Sequence, residues 1–115
     1  MNIEGLSNHD FAFCLMSELL RHGVPVNDIM CLTDTNYCRD NLSCRGAILK
    51  QVDSRTAIPR SILNDGTSQA RYYKDGFDYD GTFFLITNYW YGPQTNHKKD
   101  NRTPFLAWVQ KKCAK

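Results

Sequence analysis

The apolar positions along this chain follow helical spacing in its first half and strand-like alternation in its second. In "FAFCLMSELLRH", Phe11, Leu15 and Leu19 form one stripe with Ala12, Met16 and Leu20 beside it, which predicts an amphipathic helix over 7–22. Ser7 with Asp10 three residues on resembles a capping box, and Gly23 followed by Pro25 closes the helix. Pro25, Val26, Ile29, Met30 and Leu32 then predict a second, short helix over 25–32. "TDTNYCRDN" is a polar break. Beyond it Leu42, Arg45, Leu49 and Val52 recur at helical spacing, with Asp40 or Asn41 as cap, and predict a third helix over 42–52. Gly46 weakens that helix by ~1 kcal/mol relative to Ala, which keeps a strand over 47–52 as the alternative.

From residue 57 the punctuation changes. Asp-Gly pairs at 65–66, 75–76 and 80–81 favour the positive-φ conformations of tight hairpin turns. Between them, "AIPRSIL", "TSQARYY" and "TFFLITNYWY" are β-branched and aromatic runs of strand length. In the last run Phe84, Ile86 and Trp90 point one way and Phe83, Leu85, Tyr89 and Tyr91 the other. A strand apolar on both faces is central and covered on both sides in its first half. After Arg102 the chain predicts a terminal helix over 103–112. Thr103 is its cap, Pro104 its first residue, Phe105, Trp108 and Val109 its apolar face, and lysines in its final turn complement the dipole. The fold class expected is α+β: one domain over 1–115, with N-terminal helices to about 52, an antiparallel β-meander over about 57–91 and a C-terminal helix. Three helices followed by a hairpin is a winged-helix-like order.

Composition narrows the class. At 115 residues and 42% hydrophobic, the chain can bury a single core without covalent staples. No apolar run approaches the ~18 to 20 residues of a membrane span, and "MNIEGLSNHD" shows no signal-type pattern, so a cytoplasmic protein with no membrane partner is expected. Five cysteines, at 14, 31, 38, 44 and 113, are then reduced thiols rather than a disulfide framework. The glycosylation patterns at Asn41 and Asn101 are discounted with that reading.

Charge is modest in total and uneven along the chain. The formal net charge is +2, yet residues 1–38 hold one base, Arg21, against five acids. Residues 39–74 hold seven bases against three acids. Those bases are Arg39, Arg45, Lys50, Arg55, Arg60, Arg71 and Lys74, and they are the candidate nucleic-acid-binding set. In a winged-helix arrangement Arg45 and Lys50 lie on the groove-entering helix, while Arg60, Arg71 and Lys74 lie on the wing "PRSILNDGTSQARYYK". Trp90, Tyr91, His97, Lys98, Lys99 and Arg102 make a secondary patch of aromatic rings and charge. Within it, Trp90 fits a core or rim aromatic better than a stacking platform.

Catalytic readings are weaker. Cys31, Cys38 and Cys44 with His9 or His22 lack the close thiolate pair of a zinc site. Cys31 with His97 is a conceivable nucleophile pair, but burial is the commoner fate of a cysteine. The "DYDG" turn fails as a calcium loop because Gly76 stands at its first position and Thr87 at its twelfth. Asp75, Asp78 and Asp80 beside Lys74 make a metal nuclease only if the turns converge. The reading is therefore a small nucleic-acid-binding protein with no catalytic residues, metal or cofactor. The alternative is a protein-interaction or inhibitor module, or a self-associating one, using an aromatic patch around 89–94.

Overall fold

The computed structural model describes residues 5–53, 60–64, 69–92 and 100–114. Helix α1, Asn8–Arg21, forms where the apolar stripe lies: Ser7 Oγ accepts from the Asp10 N–H at 3.1 Å, and Phe11, Ala12, Leu15, Met16 and Leu19 are buried. Gly23 then takes φ 74°, the left-handed conformation that ends the helix. Leu20, at the margin of the stripe, stays 36% exposed.

Downstream, three assignments differ from the sequence pattern. Residues 25–32 form two 3₁₀ turns, Val26–Asp28 and Met30–Thr33, instead of one helix, and they bury Ile29 and Leu32. The polar break is helix α2, Thr35–Leu42. Asp34 caps it by accepting from the Tyr37 N–H at 3.2 Å, Cys38 and Leu42 supply its buried side, and Ser43 ends it at φ 57°. The third helix over 42–52 is replaced by strand β1, Leu49–Gln51, in line with the alternative that Gly46 had kept open. A groove-entering recognition helix at Arg45 and Lys50 is thereby excluded.

The wing differs too. Arg60–Asn64 is a short helix, α3, where "AIPRSIL" suggested a strand, and residues 57–59 and the Asp65-Gly66 turn lie outside the described residues. Among the described residues of "TSQARYY", 69–73, Tyr72 makes an isolated bridge, to Thr87. Strands β2, Phe77–Tyr79, and β3, Thr82–Ile86, form the hairpin that the Asp-Gly pair demands. Asp80 and Gly81 both have positive φ, 52° and 92°, as a type I′ turn requires. The sheet order is β1-β3-β2, antiparallel throughout, so β3 is central as expected.

Helix α4, Arg102–Cys113, starts one residue before Thr103. It packs Phe105 and Val109 against α1, and Phe84 and Ile86 of the sheet join the same core. The molecule is an α+β domain with a Cα radius of gyration of 13.5 Å, near the ~13 Å expected of a single compact domain this long. Among the described residues no helix is long and apolar enough to cross a membrane.

Candidate nucleic-acid interface

Beyond Ile86 the central strand keeps neighbours on both sides. The Thr87 N–H donates to the Ile48 carbonyl at 2.8 Å, and the Asn88 N–H to the Arg71 carbonyl at 2.9 Å. Side chains alternate along this path, so Phe84 and Ile86 enter the main core while Leu85 and Thr87 face the other way. Antiparallel register sets Lys50 beside Leu85 and Tyr72 beside Thr87. Leu85 and Tyr72 are buried yet stand apart from the main core cluster, which marks this as a second, separate face of the sheet.

Charge and aromatic rings meet on that face. The Lys50 ammonium lies 5.7 Å from the centre of the Tyr72 ring. The guanidinium of Arg71 lies 4.4 Å, and that of Arg45 5.6 Å, from the centre of the Tyr89 ring. Arg45, Gly46, Ala47, Arg71, Tyr72, Thr87 and Tyr89 enclose an open recess of about 220 Å³. The Thr87 hydroxyl donates to the Arg71 carbonyl at 3.2 Å and accepts from the Tyr89 N–H at 3.3 Å, which ties the two flanks of the recess together.

Tyr89 is held from behind by Asn101, which is 3% exposed. The Asn101 Nδ2 donates to the Tyr89 carbonyl and its Oδ1 accepts from the Tyr91 N–H, both at 2.8 Å. A buried amide bonded at both ends fixes the backbone on either side of residue 90. Nothing in the sequence marks Asn101 for this role, because its partners are ten and twelve residues away. At α3, the Leu63 carbonyl accepts from both the Arg71 and Tyr72 N–H groups, at 2.7 and 3.2 Å, and so anchors the outer flank.

Of the candidate basic residues, the structure brings together Arg45, Lys50 and Arg71. Arg39, Arg60 and Lys74 stand exposed on α2, on α3 and in the turn before β2. Arg55, His97, Lys98 and Lys99 lie outside the described residues. Trp90 is buried: it stacks on Phe105 at 5.2 Å, meets Phe11 edge-on at 5.3 Å and donates from its indole to the Thr87 carbonyl at 2.8 Å. Its ring offers no open face, and the aromatic ring nearest the clustered bases is that of its half-buried neighbour Tyr89. Tyr91, half-buried, stacks on Tyr89 with centroids 6.3 Å apart. Arg102 turns inward, donating to the Leu6 carbonyl and to Asn8 Oδ1 at 3.2 and 3.3 Å and covering the Phe11 ring. It is a staple between α1 and α4 rather than part of a surface patch.

The acids and thiols are engaged in structure. Asp75 Oδ2 lies 2.7 Å from His9 Nε2, and Asp78 caps the hairpin by accepting from the Gly81 N–H at 2.9 Å. Among the described residues no three His, Cys, Asp or Glu side chains gather in a metal-holding group. Burial pushes the Cys38 thiol up to about 11 and the Cys44 thiol to about 12, which leaves little thiolate at neutral pH. The chain matches no protein-family model, no curated protein and no solved structure.

Proposed function

We propose that this protein binds nucleic acid at the rim of the second face of its sheet, where Arg45, Lys50 and Arg71 reach solvent around the covered Leu85, Tyr72 and Thr87, in a cytoplasmic setting and without catalysing a reaction. The supporting observation is the convergence of Arg45, Lys50 and Arg71 from separate stretches of chain onto two tyrosine rings. Cations held over aromatic rings keep their charge and lose conformational freedom, which prepares them for phosphate. The competing interaction-module reading needs exposed apolar anchors near 89–94. Trp90 is buried, residues 93 and 94 lie outside the described residues, and Leu20 on α1 is the large apolar side chain found exposed among the described residues.

The test is fluorescence anisotropy with labelled 12-nucleotide DNA and RNA probes at ~50 mM salt, where phosphate contacts are favoured. Arg45→Ala combined with Arg71→Ala should weaken binding by at least roughly tenfold, on the scale of ~1 kcal/mol per lost charged contact. Absence of binding to single strands, duplex and RNA alike would overturn the proposal.

A further inference from the structure

We infer that the recess beside Tyr89 admits one unstacked nucleobase, which makes single strands, rather than duplexes, the ligand class; this rests on the nucleic-acid reading above. Its size points there first. At about 220 Å³ the recess falls below the ~300 to 1,000 Å³ of pockets that take whole drug-sized ligands, and one planar ring system is a better match than an entire cofactor.

Its walls and floor agree. Tyr89 is half-buried beneath two guanidiniums, so the planes of Arg45 and Arg71 above it supply the flat, polarisable surfaces of the kind on which splayed-out bases stack. Gly46 and Ala47 keep the floor low. A Cβ built on Gly46 meets no atom within 4 Å, so the space above it is open. The Thr87 hydroxyl, its proton given to the Arg71 carbonyl, adds an uncharged oxygen to the lining, while Arg45 and Arg71 at the recess and Lys50 over the neighbouring Tyr72 ring are the charges that adjoining phosphates would meet. A duplex keeps its bases paired and stacked, and would have to extrude one at a cost of a few kcal/mol before it could use the recess. A single strand has no such barrier.

The experiment compares, with wild-type protein, a 12-nucleotide thymidine strand, the same length of uridine strand, a matched duplex, and an abasic phosphodiester strand of equal charge. If a base occupies the recess, the abasic strand should bind roughly 5- to 150-fold more weakly than the thymidine strand, the range of one lost stacking interaction. The uridine strand reports whether the 2′-hydroxyl is favoured and should also outbind the duplex. Gly46→Leu places its Cβ where no atom lies within 4 Å, and should bring the thymidine strand down to the abasic level while the thermal melt stays close to wild type. Equal binding of abasic and thymidine strands, or duplex binding as tight as single-strand binding, would overturn the inference while leaving the nucleic-acid reading in place. No binding to any of the four would instead remove the reading on which it rests. Should Gly46→Leu fail to fold, the abasic comparison on the wild-type protein still decides.

Discussion

His9 ties the start of α1 to the turn before β2. Its Nε2 meets Asp75 at 2.7 Å, its Nδ1 meets Asp10 at 3.3 Å, and its ring stacks on Phe13 at 4.2 Å with the edge of Tyr73 close by. The Asp75 hydrogen bond is the largest cause of a pKa raised above the ordinary 6.5, with burial opposing it and Asp10 adding to it. A group whose pKa is raised on folding contributes stability that is fully present below about 6.5 and is lost as pH rises through the folded value. With the imidazole 41% exposed, the effect is small. The unfolding midpoint of the wild-type protein should therefore drop between pH 6 and 8 by more than that of Asp75→Asn. Parallel midpoint curves for the two proteins would show that the pair does not couple to folding. No local pattern in the sequence joins His9 to Asp75, because the two are 66 residues apart. The same applies to Asn101 behind Tyr89: side-chain partnerships across the fold leave no spacing to read.

Elements were legible where local pattern and tertiary environment agree. The α1 stripe, the Asp80-Gly81 turn and the apolar run of β3 each carry their own cause, and each stands close to where the periodicity puts it. Helix α2 was hidden because its stabilising groups are few: one cap from Asp34 and two buried side chains, Cys38 and Leu42, within a polar octet. Strand β1 was read as helix because Leu49 and Val52 also fit a helical spacing. Its pairing with Ile86, Leu85 and Phe84, far along the chain, overrides that weak local preference. Since β3 bonds to strands on both sides and Ile86 is fully buried, Ile86→Ala should destabilise the domain by ~2 to 5 kcal/mol, as core truncations do. A denaturant midpoint within error of wild type would mean that β3 is not the central strand. Gly76 constrains the same sheet from the other end. It holds φ 55°, and a Cβ there would run into the Phe83 ring, so the turn before β2 accepts no larger residue without shifting that ring.

Across the whole molecule, charge separation along the chain becomes charge separation in space only in part. The described part of the acidic first third runs through α1 and the two 3₁₀ turns into the start of α2, and Arg21, its single base, pairs with Glu18 at 2.5 Å. The basic middle third is spread over α2, β1, α3 and the strand-like segment at Tyr72, and the sheet's second face collects three of its bases. Sequence alone could name the basic segment but not select among its members, since what gathers Arg45, Lys50 and Arg71 is the register of β1 and Tyr72 against the central strand. If those three meet phosphates, each contact releases condensed counterions, and the slope of log affinity against log salt carries ~0.7 per contact on a single strand. Replacing Arg45 and Lys50 together with alanine should flatten that slope by ~1.4 and weaken binding most at low salt. Arg21→Ala should leave the slope unchanged, because its guanidinium is engaged by Glu18 in the acidic third. A slope that responds equally to both changes would mean that long-range net charge, rather than this face, governs attraction. In that case Arg39, Arg60 and Lys74, exposed on other elements, would share the work, and their substitution would flatten the slope by a similar amount per charge.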